Sequence, residues 1–353
     1  MQGHRPHETG NRLADCECPH LCRALPHGGS GNGRWEWRHD MRLLDIQKRY
    51  LEEKGDKYAY FSAMFDVHRR LFEYPELLAG SPVRKIDMTQ EGVLFEIEYE
   101  GVPIKICADP QDAHSLPLTF LNFKNYDEAR ESRFIFQMIQ PGDTVFDIGA
   151  NIGWYSLNIL LRKKPVTVYS FEPIPASYQL LVKNFRLNGQ SAELAFNVGL
   201  SNENKVVKFF FDTKCAMASS MANLRNHEET VEVVCQARRL DDMMTSFSGL
   251  KRLDFIKCDV EGAELLVYQG ALKTLETWKP IVFSEILRKW SKKFNYHPND
   301  ILDLFRKLKY ECYVIEGESL ATFGRVDDFT IPTNYFFLHN EKHEKLIKEL
   351  VRD

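Results

Sequence analysis

The chain has 353 residues, 44% hydrophobic and 12% aromatic, enough to bury the core of one large α/β domain with an N-terminal addition. Its 46 basic and 50 acidic residues leave a formal charge of −4, which argues against a wholesale nucleic-acid binder or a protein held on anionic membranes. No apolar run approaches the roughly 18 residues that span a bilayer, and the first 40 residues lack the apolar core of a secretory signal. Cys107, Cys215, Cys235, Cys258 and Cys312 are scattered singly and read as small buried hydrophobes, so a reducing, cytoplasmic setting is expected.

Residues 1–40 are rich in His, Gly, Arg and Pro, show neither helical nor strand period, and read as a disordered extension. Within them Cys16, Cys18, His20 and Cys22 lack the two separated ligand pairs of a zinc site. The abrupt change of character at Met41 suggests that these residues precede an internal start. Residues 41–124 read as an N-terminal cap, with helical periodicity to Leu78 and then a hairpin of strands 92–97 and 102–107. A helix is expected over 126–139.

After Pro141-Gly142 the pattern alternates. Strands are predicted over 144–148, 166–171, 194–198, 255–258 and 281–285, with two more near 311–315 and 334–338. Helices are predicted over 154–162, 176–188, 263–275 and 299–307, and an antiparallel pair, 206–211 with 231–236, reads as an insertion. Such alternation implies a Rossmann-like, doubly wound parallel sheet with helices on both faces, here spanning 125–340 and followed by a helical tail, 341–353.

The informative stretch is Asp147-Ile-Gly-Ala-Asn-Ile-Gly153, which leaves a strand and opens a helix. Gly149 and Gly153 carry no Cβ to block a ligand approaching the backbone. A dinucleotide would want a third glycine and would bring its pyrophosphate against Asp147, which repels it. The same carboxylate suits a ligand with cationic groups, such as the amino group and sulfonium of S-adenosylmethionine. Glu172, 25 residues after Asp147, ends the next strand, where a carboxylate can accept both ribose hydroxyls. A third cluster, Lys257-Cys-Asp259-Val-Glu261-Gly-Ala-Glu264, crowds acids at a helix start. Those acids suit N-capping, a general base, or the holding of a divalent ion.

The strings FDIGANIGWYSL, SFEPIP, RRLDDM and DFIKCDVEGAELLVYQGA, in this order and spacing, resemble the FkbM family of methyltransferases. The resemblance implies a seven-stranded methyltransferase sheet with its last strand antiparallel, S-adenosyl-L-methionine as donor, and transfer to the oxygen of a sugar, glycan or secondary metabolite. By the same resemblance Asp147, Gly149, Asn151 and Gly153 belong to the donor loop, Glu172 to the ribose and Asn197 to the adenine. Asp259 and Glu261 fall beside the acceptor, and Leu240-Asp241-Asp242 matches an element whose acids more often cap a helix.

Alkylating an alcohol also calls for a general base. Asp259 or Glu261 is the candidate, with Lys257 orienting and His227 as the alternative. Mg²⁺ held by Asp259, Glu261, Asp241 and Asp242 is the other route to deprotonation. The acceptor is expected between the sheet edge, insert 212–230 and the cap, with Tyr126, Glu131 and Trp154 as walls. The basic run Arg288-Lys-Trp-Ser-Lys-Lys293 reads first as a solvated helix surface and second as a seat for an anionic acceptor. Two other readings stand beside this one: a non-catalytic S-adenosylmethionine-binding partner, and a methyltransferase with a protein acceptor. A homodimer is compatible with the sequence, and no nucleic-acid or membrane partner is expected.

Overall fold

The computed structural model describes residues 42–53, 56–110, 112, 114–126, 128–212 and 230–352. The expectations placed on residues 1–40, on Cys215, on His227 and on most of insert 212–230 lie outside them. Compactness divides the chain between Phe72 and Glu73, whereas the sequence pattern changes near 124. Among the described residues no helix is long and apolar enough to cross a membrane.

In the first unit, helices Leu43–Glu53 and Lys57–His68 follow the predicted periodicity. Asp56 ends the gap between them by accepting a hydrogen bond from the Tyr58 N–H, a side-chain N-cap. Tyr50 stacks on Tyr60 with ring centroids 4.1 Å apart.

The second unit opens with an antiparallel sheet of β1 (Val83–Thr89), β2 (Gly92–Tyr99) and β3 (Val102–Cys107). The β2–β3 hairpin is the one expected from its alternation. In β1, VRKIDMT, charges interrupt the apolar period, and the strand was not legible in the sequence. This sheet is fastened to helix Pro175–Leu187: Asn184 Oδ1 accepts from the Cys107 N–H at 2.8 Å, and Asn188 bonds both backbone groups of Lys105.

The main sheet uses β4 (Thr144–Ile148), β5 (Thr167–Phe171) and β6 (Ala195–Phe196). The chain then leaves for a side sheet of β7 (Gly199–Leu200), β8 (Lys205–Asp212) and β9 (Thr230–Arg238), which contains the predicted antiparallel pair. It returns as β10 (Phe255–Cys258), β11 (Ile281–Glu285), β12 (Tyr310–Glu316), β13 (Ser319–Thr322) and β14 (Asn334–His339). The strand order is β13-β12-β14-β11-β10-β4-β5-β6. Strands β11, β10, β4, β5 and β6 are parallel, and β14 runs antiparallel to both neighbours. The expected seven strands are thus present with the last one reversed. An eighth, β13, is added at the edge because β12 turns back on itself as a hairpin.

Succession reverses between β4 and β10, so a crevice opens at their carboxyl ends, where open α/β sheets bind ligands. The helix expected over 263–275 is two helices, Glu264–Gln269 and Leu272–Trp278. Asp241 explains the break. Its N–H donates to Gly270 O, and its carboxylate takes the Lys273 and Thr274 N–H groups that open the second helix. Asp241 of the LDD element therefore caps that second helix.

Both faces of the sheet are buried. On one of them Phe337 is fully enclosed and stacks on Phe305 of helix Pro298–Lys307 at 4.1 Å. Truncating Phe337 to Ala is expected to lower unfolding free energy by about 3–5 kcal/mol, read as a lower denaturant midpoint at unchanged slope.

Candidate active site

The turn after β4 is shaped by close backbone contact. Gly149 has φ +77°, and a Cβ there would stand 1.8 Å from the carbonyl oxygen of Asp259 in the loop after β10. Gly153, at φ +87°, opens helix Trp154–Arg162, and its missing Cβ leaves room for Phe185 and Leu181. Both glycines are thus required by neighbouring protein. Asn151 takes the left-handed region without being glycine, at φ +48°, and so does Glu261, at φ +53°. Such conformations cost of order 1 kcal/mol or more and gather at functional loops.

Glu172, just past β5, is 5% exposed, and both of its oxygens hold the backbone. Oε2 accepts from the Asn151 N–H at 2.8 Å and Oε1 from the Ile174 N–H at 2.8 Å. Burial pushes its carboxyl up to about 7, against the pull of those two amides. Asn197 donates to the carbonyls of Glu172 and Pro173, is exposed, and ties down the strand end outside the cavity described below.

Lys257, on β10, is 4% exposed. Its Nζ donates to Gly149 O at 3.0 Å and to Asp259 Oδ2 at 3.2 Å, and it lies 3.7 Å from Asp147 Oδ1. Burial disfavours its charge, but Asp259, Asp147 and Glu128 outweigh that and hold the ammonium above its usual range. Asp147 is fully buried, with Oδ2 accepting from both the N–H and the hydroxyl of Ser156. It is not among the cavity-lining residues and stands beside the Lys257 ammonium. Glu264 folds back over its own loop, accepting from Gly262 N and from the Tyr296 hydroxyl, and burial pushes it to about 7.

These elements enclose a cavity of about 340 Å³, within the range of small-molecule sites. Gly149, Asn151, Glu172, Lys257, Asp259 and Glu261 line it together, whereas Asp147, Gly153 and Asn197 do not. Tyr126 and Trp154 are walls, as expected, and Glu131 is not. The basic run is turned to other partners, with Arg288 on Asp328 and Lys289 over the Trp290 ring. Asp241 caps its helix and Asp242 accepts from Asn204, so the four-acid Mg²⁺ set is not assembled. Among the described residues no group of three or more candidate ligands is placed to hold a metal.

Three cavity carboxyls, Asp112, Glu128 and Glu285, escaped the sequence reading. Glu285 ends β11 just as Glu172 follows β5, and the shared ending, SFE and FSE, was the available signal. Burial, then Asp259, Glu128 and Glu261, push it up to about 10, so it carries a proton at neutral pH. Glu128 precedes helix Ala129–Met138, and nothing in NYDEARES marks it out.

A Rossmann-like sheet with a buried acid after its second strand and a glycine turn after its first defines a nucleoside-cofactor domain. Residues 147–312 match the family described as "Methyltransferase FkbM domain". Methyltransferase 1 of Beauveria bassiana (strain ARSEF 2860) is 31% identical over 147 residues, 37% of this chain and 59% of that protein. Methyltransferase sdnD of Sordaria araneosa is 28% identical over 172 residues, 38% of this chain and 66% of that protein. 2-O-methyltransferase NoeI of Sinorhizobium fredii (strain NBRC 101917 / NGR234) is 28% identical over 149 residues, 38% of this chain and 60% of that protein. The chain therefore spans under two thirds of the length of each.

Raised carboxyl pKa values carry a signed consequence for stability. Glu264 binds its proton more tightly folded than unfolded, so its contribution is complete below about 4.5 and is lost as pH rises through about 7. Glu264→Gln cannot ionise. It is expected to flatten the fall in melting temperature between pH 5 and 8, whereas an unchanged slope would assign that fall elsewhere.

Proposed function

We propose that the chain transfers a methyl group from S-adenosylmethionine to a hydroxyl of a small-molecule or glycan acceptor. The observation that carries this reading is Glu172. It is a buried carboxylate fixed by the Asn151 amide of the glycine turn and the Ile174 amide of its own loop, opening onto the same cavity as the acids of the β10 loop.

The lining fits the donor's parts. Each Glu172 oxygen already accepts one amide and keeps lone-pair capacity for a ribose hydroxyl. Phe171, Ile174, Val198 and Leu200 offer an apolar bed for a purine. Asn151 Oδ1 and Trp154 Nε1 are buried and without a hydrogen-bond partner, which suits a polar ligand edge. Around them stand Asp112, Glu128, Asp259 and Glu261, with Lys257 the one cation among the described lining residues. That surplus of carboxyls favours a positively charged donor and repels a pyrophosphate.

S-adenosylmethionine supplies a methyl carbon on a cationic sulfur, so the protein's task is to align an oxygen with it and exclude water. Lys257 holds the β4 and β10 loops in register by bonding Gly149 O and Asp259 together. Asp259 is thereby committed to an ion pair and serves placement, while Glu261 faces the cavity from its left-handed turn. The relative named 2-O-methyltransferase NoeI supports oxygen as the acceptor atom.

Calorimetry on the full chain is expected to show binding of S-adenosylhomocysteine and none of NAD. Glu172→Ala is expected to weaken that binding by about 10–100-fold, the loss of one or two charge-assisted hydrogen bonds. Equal affinity in the variant would remove Glu172 from the donor site.

A further inference from the structure

We infer that Glu128 is the catalytic base that takes the proton of the acceptor's hydroxyl, an inference that rests on the methyl-transfer reading above. Glu128 lies outside the matched family segment and enters the cavity from the polypeptide ahead of the first main-sheet strand.

Besides Glu128, the carboxyls of Asp112, Glu172, Asp259, Glu261 and Glu285 line the cavity, and Asp112 already accepts from the His114 N–H at 2.9 Å. Asp259 is bonded to Lys257 at 3.2 Å, and protonating it would leave that buried ammonium less well paired. Glu285 is already protonated near neutral pH and cannot take another proton. Glu172 is committed to two backbone amides at the donor end. Glu264 is held by its own loop and does not line the cavity. Glu261 does line it, from a turn whose backbone takes the left-handed region at φ +53°.

Glu128 is braced. Its Oε2 accepts from the Tyr126 hydroxyl at 2.9 Å and from the Tyr155 hydroxyl at a shorter distance. Tyr155 is buried and Tyr126 partly so; burial, then Glu128, raises the Tyr155 hydroxyl, and burial, then Tyr155 and Glu128, raises that of Tyr126, so both stay protonated as donors. Two donors on one oxygen fix the carboxylate plane and leave Oε1 outside both bonds. Tyr155 also lies under the Lys257 ammonium, 5.3 Å from its ring centre, so the brace joins the loop that holds Asp259. Around Glu128, burial and the Asp259 charge favour protonation, while Tyr155, Lys257 and Tyr126 oppose it. Its carboxyl is raised above the ordinary range, in the direction that helps a base work near neutrality.

The step balances. The acceptor's oxygen forms a bond to the methyl carbon as that carbon's bond to sulfur breaks and its electron pair stays on sulfur. The hydroxyl proton passes to Glu128 Oε1 and leaves later to solvent.

The test compares full-length wild type, Glu128→Gln and Glu128→Asp, with labelled S-adenosylmethionine and a panel of methyl glycosides, phenols and aliphatic alcohols. Donor binding is followed separately by S-adenosylhomocysteine calorimetry, which also shows that each variant is folded. Glu128→Gln is expected to keep donor affinity within about twofold and to lose about 100-fold or more in kcat. Its acid limb in the pH profile is expected to vanish, and Glu128→Asp is expected to restore part of both. Turnover of Glu128→Gln equal to wild type, with the acid limb intact, would overturn the assignment. A wild type that binds the donor but labels no member of the panel would overturn the methyl-transfer reading and this inference with it. Loss of donor affinity in Glu128→Gln equal to the loss in kcat would reduce Glu128 to a structural role.

Discussion

The site depends on one backbone encounter, the turn after β4 pressed against the loop after β10. The Asp259 carbonyl occupies the space that any side chain at position 149 would need. A buried ammonium then joins the two loops, with Lys257 donating to Gly149 O on one side and to Asp259 on the other. Because parallel strands β4 and β10 are adjacent at the switch in strand order, this contact forms where the sheet leaves a crevice. Everything that lines the cavity is referred to those two loops.

The second constraint is charge. Carboxyls collected at the ends of β5, β10 and β11 and ahead of helix Ala129–Met138 would repel one another if all were ionised. The protein relieves this in three ways: Lys257 pairs with Asp259, Glu285 keeps its proton, and Glu172 and Glu128 are held by amides and phenols respectively. The result is a cavity whose acids stand in different protonation states, the arrangement by which one site can bind a cation and also accept a proton.

The main architecture was legible because each of its strands is buried on both faces and reads as a short apolar run ended by a turn, as in TVFDI, TVYSF and IVFSE. Strand β1 was not, since charges interrupt its apolar period, and edge strand β13 is only four residues long, SLAT. Asp147 and Gly153 were legible as part of a motif, but their atoms serve the protein's interior and not the cavity, a distinction spacing cannot make. Glu128 shows the opposite case. Its neighbours in sequence say nothing, and it matters only because Tyr126 and Tyr155, one beside it and one 27 residues on, converge upon it in space.

The most direct measurement is a crystal structure of the full chain with S-adenosylhomocysteine. The account predicts the two ribose hydroxyls on the carboxylate of Glu172, with the sulfur toward the Asp259 and Glu128 end of the cavity. A nucleoside seated elsewhere, or a ribose held by other groups while Glu172 keeps only its two backbone amides, would contradict it.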